Sequence, residues 1–439
     1  MTIRSAALTL SSLTFTLTGI IYAAPAPTTV SKPTFSKDVA PIVQQHCQTC
    51  HRPGEAAPFS LLTYKEARPW ANSIKEAVVL RKMPPWFADP HFGKFSNDRT
   101  MPQRDIDTLV AWVNAGAPEG NPKDLPKPLQ FISGWNIGKP DLAVTMPAKF
   151  DVPATGTIDY QYLLIPLNLT EDKWIKGAEV RPGNRALVHH VIAYVRPPGT
   201  NWMKDAQPGV PYQPKKGDNG GGNEFLVGYA PGSPAMVLPD GQAKMIKAGS
   251  DIILQLHYTA NGKPGTDQSS VGLLYATTPV KQRVYTIAAQ NNRFVIPPGD
   301  PNYEVKSSFE FGEETHVTAL IPHMHLRGKD FLFKATYPTG ETQMLLNVPH
   351  YDFSWQLGYK PEQDIVMPKG SKIECVAHFD NSANNPNNPD ASKEVRYGDQ
   401  SWEEMMFGFF DVAIDADKDL KSILPARKPA AAPQPKALE

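Results

Sequence analysis

Cysteine is scarce in this chain, with 3 residues in 439. A small disulfide-stapled scaffold is thereby excluded, and the length is ample for more than one buried core. An excess of one charge is missing too. The 44 basic and 44 acidic residues cancel, and a chain without a basic excess is not built for a nucleic-acid partner. Beyond the first two dozen residues no apolar run approaches the ~18 residues of a spanning helix, so no stable membrane insertion is expected. The apolar share of 41% with 20% charged residues excludes a largely disordered chain.

What is present in excess is proline, at 44 residues, roughly twice average usage. That disfavours a helix-rich protein and suits short strands joined by turns. Eleven His and 12 Met complete an unusual inventory. At the N-terminus, Arg4 precedes a stretch of small residues, Leu, Phe and Ile, and Ala23 and Ala24 precede Pro25. Residues 1–23 therefore read as a secretory leader, with an uncleaved anchor as the alternative. The chain is expected to be periplasmic or secreted. Cysteines in such a compartment are normally paired, so three imply another use.

Two of them stand in Cys47-Gln48-Thr49-Cys50-His51. The C-x-x-C-H spacing reads as covalent attachment of haem c, with a redox C-x-x-C as the alternative. Two thiols form thioethers to the haem vinyls, and the adjacent His51 reaches the iron. Helical patterns flank the motif. Ser36 to Gln45 leads into it, with Ser36 and Asp38 as capping residues. Residues 64–82 put Trp70, Ile74, Ala77 and Val78 on one face, and residues 103–115 do the same with Ile106, Leu109, Val110 and Val113. Residues 30–118 are therefore expected to form a small all-α cytochrome c domain. Its second axial ligand is expected to be Met83 of Met83-Pro84-Pro85, with Met101 as the alternative.

Residues 119–137, rich in Pro and charge, read as a linker. Beyond them the pattern changes to short β-branched and aromatic runs: Leu187–Val195, Asp251–Tyr258, Ser270–Tyr275, Lys306–Phe311, Thr315–His325 and Ile373–Phe379. Two antiparallel β-sandwich, jelly-roll-like domains are expected, over 138–282 and 283–418. Residues 214–223 read as a flexible loop and a lid candidate, and 419–439 as a disordered tail.

Histidine is clustered in this strand-rich part. His323 and His325 form H-x-H, and residues two apart on a strand share a face, so the pair can chelate one metal. Gln255 and His257 share a face in the same way. Adjacent His189 and His190 would point oppositely on a regular strand and can bind one ion only if the strand bulges or ends there. His316, His350 and His378 read as ordinary core or surface residues. Met405 and Met406 add thioethers; beside two imidazoles a thioether selects copper over zinc, although alone both would be core filler.

Taken in order, Val188-His189-His190, Leu254-Gln255-Leu256-His257-Tyr258, His323-Met324-His325-Leu326-Arg327-Gly328-Lys329, Cys375 and Glu404-Met405 resemble the copper type II, ascorbate-dependent monooxygenase family, the peptidylglycine α-hydroxylating and dopamine β-monooxygenases. The resemblance spans residues 138 to 415. It implies two tandem jelly-roll-like domains with one copper each, facing a solvent-filled cleft. His189, His190 and His257 would hold an electron-transfer copper, with Gln255 nearby. His323, His325 and Met405 would hold the oxygen-binding copper.

The chain departs from that family at its substrate positions. The family's carboxylate-holding Arg, two residues before H-x-H, is Ile321, and an Asn and a Tyr after the ligand Met are Phe407 and Phe409. A buried carboxylate there would lack partners, so a neutral or apolar small-molecule substrate is expected. The family's disulfide partner is Met406, which leaves Cys375 unpaired. The fusion implies that a periplasmic electron donor reduces the haem, which reduces the first copper, while the second binds O2 and hydroxylates an aliphatic C–H. A non-catalytic periplasmic electron-transfer or copper-binding protein is the alternative, and a sandwich with one zinc at the H-x-H is a third reading.

Overall fold

The protein is described here by a computed structural model covering residues 32–55, 57–132, 134–214 and 224–425. The expected leader, most of the 214–223 loop and the tail from 426 onward lie outside the described residues. Strands dominate, and the α-helices lie at the N-terminal end.

The helical part is built from Ala40–His46, Tyr64–Ala67, Ala71–Val79 and Gln103–Asn114. Its core joins Phe35, Val39 and Val43 to Ile74, Val78, Leu109 and Trp112. Thr63 opens the second helix with a capping box that closes on Glu66. Two local expectations change. The first helical stretch begins as a π-turn over Phe35–Val39, with Thr34 rather than Ser36 at its N-cap and Ser36 fully buried. Trp70 does not face the core. It is 40% exposed because Pro69 bends residues 68–70 into a 3-10 turn, and its ring stacks on Phe59 at 4.0 Å.

The expected domain 30–118 is not self-contained. Pro84, Pro85 and Pro90 forbid helix between the last two helices, so residues 86–97 extend away as an arm. Trp86 packs on Tyr359 at 4.8 Å, and Phe95 is buried in the core of the C-terminal half. Asp89 N–H donates to Asn347 O and Ser96 N–H to Lys360 O, both at 2.8 Å. Apolar area explains the docking, because two large aromatics on a short, non-helical segment have no other surface to cover. The segment 119–137 is likewise more than a tether. Ile137 is buried, and its N–H and the Asn136 amide both donate to the Glu179 carboxylate.

The β part forms two packed halves. In the first, the four-stranded sheet ordered Gln161–Pro166, Asp251–Tyr258, Val188–Arg196, Glu224–Tyr229 packs on one end of a nine-stranded sheet. Val191, Leu254 and Leu256 meet Ile175, Val271 and Leu273 between the layers. In the second, the sheet ordered Tyr303–Glu310, Lys372–Phe379, Gly328–Thr336, Thr342–Val348 packs on the other end. Phe331, Phe333 and Phe379 meet Phe410 and Val412 there. The nine-stranded sheet runs through both halves, joined where Gln282 and Arg283 pair in parallel with Gln242 and Ala243. The chain after 418 is ordered at its start: Leu420–Ile423 forms a 3-10 turn, Ile423 is buried, and its carbonyl accepts from Gly312 N–H. That corrects the expected disorder of 419–423, for burying Ile423 offsets the entropy of ordering a short turn.

Between Phe407 and Phe409, Gly408 turns its missing side chain toward the core. A Cβ there would run into Cys375 Sγ and would lie 3.0 Å from the Phe333 ring. Gly408→Ala is expected to lower stability by about 1–3 kcal/mol through overpacking, and Cys375→Ala in the same chain should return part of that loss. Urea melts of the two single variants and the double variant test this; strictly additive effects would refute the steric account.

Candidate metal centres

The first centre arises from a defect in a strand. Val188 pairs with Tyr258 and His190 with His257, so His189 is an extra residue with no partner. This bulge places consecutive imidazoles on one side, as a regular pleat cannot. His189 Nδ1 lies 3.1 Å from His190 Nδ1, and His257 Nδ1 lies 3.4 Å from the same atom. Three nitrogens bound at ~2.0–2.1 Å to one tetrahedral ion would stand roughly 3.3 Å apart. The described residues contain this one group of three His, Cys, Asp or Glu ligands within 4.8 Å of one another, and it could hold a metal ion. Burial holds all three imidazoles neutral, pulling His189 down to about 4 and His257 to about 3, with His190 also well below the ordinary value. Gln255, two residues before His257 on its strand, donates to Tyr162 Oη at 2.5 Å.

The second centre lies at the end of the strand Thr315–His323. The rings of His323 and His325 stand 5.2 Å apart and nearly perpendicular. His323 Nδ1 is 2.8 Å from Gln356 Oε1, and His325 Nδ1 is 3.2 Å from Glu403 O. In each ring the held nitrogen is the donor and Nε2 keeps the lone pair. His325 Nε2 is buried and has no hydrogen-bond partner. An orphaned, buried, neutral nitrogen is the atom a metal would satisfy. His323 pairs with Phe407, and Met405, half-buried, lies one residue before the strand Met406–Asp415 that carries Phe407.

Glu404 holds this turn together. Fully buried, it accepts from His325 N–H at 2.9 Å and Arg327 N–H at 2.6 Å. Burial pushes its carboxyl up to about 8, against the pull of those N–H groups and the Arg327 guanidinium. The surroundings are aromatic. Phe407 and Phe409 stack at 5.1 Å and lie 6.4 and 6.1 Å from His323, and Ile321 pairs with Phe409. Phe225 of the first half reaches Phe409 at 6.3 Å.

The space between the centres is not empty. Phe353 stacks on His189 at 4.9 Å and lies 6.3 Å from His257 and 5.9 Å from His325. Ser401 Oγ is 3.3 Å from His257 Nε2. Neither residue carries a sequence signal: both sit in irregular loops without periodicity or motif. Gln356 and Glu403 were equally invisible.

In the helical part, Cys47 and Cys50 form no disulfide, and burial pushes both thiols up, Cys47 to about 12. His51 Nδ1 lies 3.3 Å from Phe59 O, which leaves Nε2 free. That is the arrangement an axial imidazole requires. Met101 is buried in the helical core, whereas Met83 is half-buried just beyond the helix Ala71–Val79. A cavity of about 260 Å³ separates Cys50 from the first sandwich, lined by Arg52, Arg99, Arg185 and Tyr229, with Glu55 and Arg185 paired at 3.4 Å across it. Of the three remaining histidines of the β part, His378 is held by Asp330 at 2.6 Å.

No known family model and no curated protein matches this chain. Solved structures that align with it include infectious bursal disease virus Gx strain, at 8% identity over 64% of this chain and 74% of that one, with a TM-score of 0.17. An allantoicase aligns at 10% identity over 53% and 79%, with a TM-score of 0.14. Overlap at these scores carries no argument about fold or function. No helix among the described residues is long and apolar enough to cross a membrane.

The buried histidines make the metal-free fold acid-sensitive. In the unfolded chain each takes up a proton near pH 6.5, whereas His189 and His257 resist until about 4 and 3. Stability is therefore undiminished above 6.5 and is lost as pH falls below it, by about 2 kcal/mol per histidine at pH 5. Urea midpoints of the metal-free protein at pH 7.5, 6 and 5 should fall in that order, and His257→Asn should flatten the slope; a profile level across this range would refute the buried, neutral state.

Proposed function

We propose that this protein is an exported haem c-linked dicopper monooxygenase that hydroxylates an aliphatic C–H bond of a neutral or apolar small molecule. The balance is R–H + O2 + 2 electrons + 2 protons giving R–OH + H2O. The observation that carries the reading is the pair of imidazole groups, one of three converging Nδ1 atoms and one with an orphaned Nε2, facing each other across a single ring. The ordered motifs shared with the ascorbate-dependent copper monooxygenases support it, as does C-x-x-C-H upstream.

His189, His190 and His257 hold the first copper, and His323, His325 and Met405 the second; Cys47, Cys50 and His51 hold the haem. Copper so bound would supply one-electron redox and oxygen chemistry, and a bound haem would supply one-electron transfer. The protein's own contribution is orientation and exclusion of water. Gln356 and Glu403 fix which nitrogen of His323 and His325 is free. Met405 biases the second site toward copper, because a thioether is a soft ligand. Ile321, Phe407 and Phe409 offer no partner to a charged substrate, and burying an unpaired carboxylate among them costs several kcal/mol. Jelly-roll topology for both halves and a cytochrome c fold for the helical part belong to the same proposal.

Metal and haem analysis of the purified protein is the direct test. One haem and two coppers are expected, with oxygen uptake on neutral substrates abolished by Met405→Ile. One zinc and no copper would overturn the reading, and two coppers with no uptake on any substrate would favour the non-catalytic electron-transfer protein.

The second haem ligand separates by substitution. Met83→Leu is expected to change the haem optical spectrum and lower its potential. Met101→Leu is a volume-conserving core swap, expected to leave the spectrum alone and cost less than about 1.5 kcal/mol. The opposite pattern would assign Met101.

A further inference from the structure

The three-histidine group is not finished by its own half of the molecule. His257 stands on a strand of the first half, and its outer nitrogen, Nε2, faces Ser401 Oγ at 3.3 Å. Ser401 belongs to the second half, in the loop that carries Glu403, Glu404 and Met405. His189 is also of the first half, and its ring stacks at 4.9 Å and 22° on Phe353. Phe353 belongs to the loop that carries Tyr351 and Gln356. Tyr351 Oη lies 2.8 Å from Met324 O, and Gln356 Oε1 lies 2.8 Å from His323 Nδ1. Each loop thus holds a histidine segment of its own half and reaches across to the other centre.

The chemistry of imidazole gives these contacts a role. His257 turns Nδ1 toward His190. To ligate through that atom it must carry its proton on Nε2. An acceptor at Nε2 selects this tautomer and fixes the ring's rotation, and such outer partners are commonly worth 10–100-fold in metal affinity. Ser401 Oγ stands at 3.3 Å from Nε2, where it can be that acceptor. Phe353 acts on His189 by contact: an aromatic face against the imidazole limits rotation about χ2 and keeps water from its lone pair. His189 has the greater need of this, because the bulged residue lacks a ladder partner.

We infer that Ser401 and Phe353 are positioning residues for the His189–His190–His257 centre, supplied by the opposite half, so that this centre is complete only when the two halves are closed on one another. The inference rests on reading the three histidines as a metal site. It does not require that the protein be an oxygenase.

The full-length protein is used throughout. In the metal-free state, the ring-nitrogen NMR shifts of His257 are expected to report one tautomer, protonated on Nε2. Ser401→Ala should give a mixture of tautomers, and Ser401→Thr should restore the single form. Copper(I) competition titrations should show the three-histidine centre weakened about tenfold or more by Ser401→Ala and by Phe353→Ala. Ser401→Ala should leave the affinity of the second centre unchanged. The copper(II) paramagnetic resonance of the first centre should broaden in both variants. The inference is overturned if the wild type binds copper at the three histidines while both variants keep its affinity and spectrum and His257 keeps one tautomer; the metal-site reading then stands. A wild type that binds no copper at these histidines overturns both. Loss of copper from both centres in Ser401→Ala, with the tautomer unchanged, points to general unfolding and also overturns the positioning role.

Discussion

Five imidazoles desolvated between two β halves set the conditions for the rest of the structure. A buried imidazole cannot stay charged at neutral pH, and a buried nitrogen without a partner costs free energy. Each of the five is therefore accounted for by a neighbour. Gln356 and Glu403 accept from the second pair, Ser401 faces His257, and a bulge lets His189 and His190 share one side. What remains are nitrogens aimed at one another or at nothing, and these are the atoms that suit a metal.

The two halves are bound in a way that keeps this arrangement rigid. Parallel pairing between Gln282–Arg283 and Gln242–Ala243 makes one sheet continuous through both. On the other side the 86–97 arm ties the helical part to the C-terminal core through Trp86 and Phe95. The helical part is thus fastened at two places, by the arm between its last two helices and by the Glu179 contacts of residues 136 and 137. Such multiple anchoring limits the freedom of the helical part relative to the β part. It is stiffer than a flexible linker would allow.

The aromatic residues beside His323 follow from the same solvent exclusion. Phe407 and Phe409 alternate on their strand with Gly408, so the two rings face His323 while the glycine faces the core. The absence of a side chain at 408 lets Phe333 and Cys375 fill the layer beneath. The rings can then stack on one another without displacing the strand. The aromatic surface beside His323 and the tight packing under it are two sides of one strand.

Local patterns were legible from the sequence because they depend on short spacing. C-x-x-C-H, H-H, H-x-H and the period-two runs each lie within a few residues, and the strands Asp251–Tyr258 and Ser270–Tyr275 fall where their alternation puts them. The need for a bulge at His189 was also readable, since only a break in the pleat lets neighbouring residues share a face. Tertiary structure decided what long separation hides. Phe353 and Ser401 meet histidines more than a hundred residues away, the 86–97 arm leaves the helical part, and the last turn at Ile423 packs back on Gly312. No periodicity or spacing encodes such contacts, because loop residues acquire their role only when packing brings distant segments together. The sequence determined which atoms could ligate; the fold decided which of them converge and what holds them there.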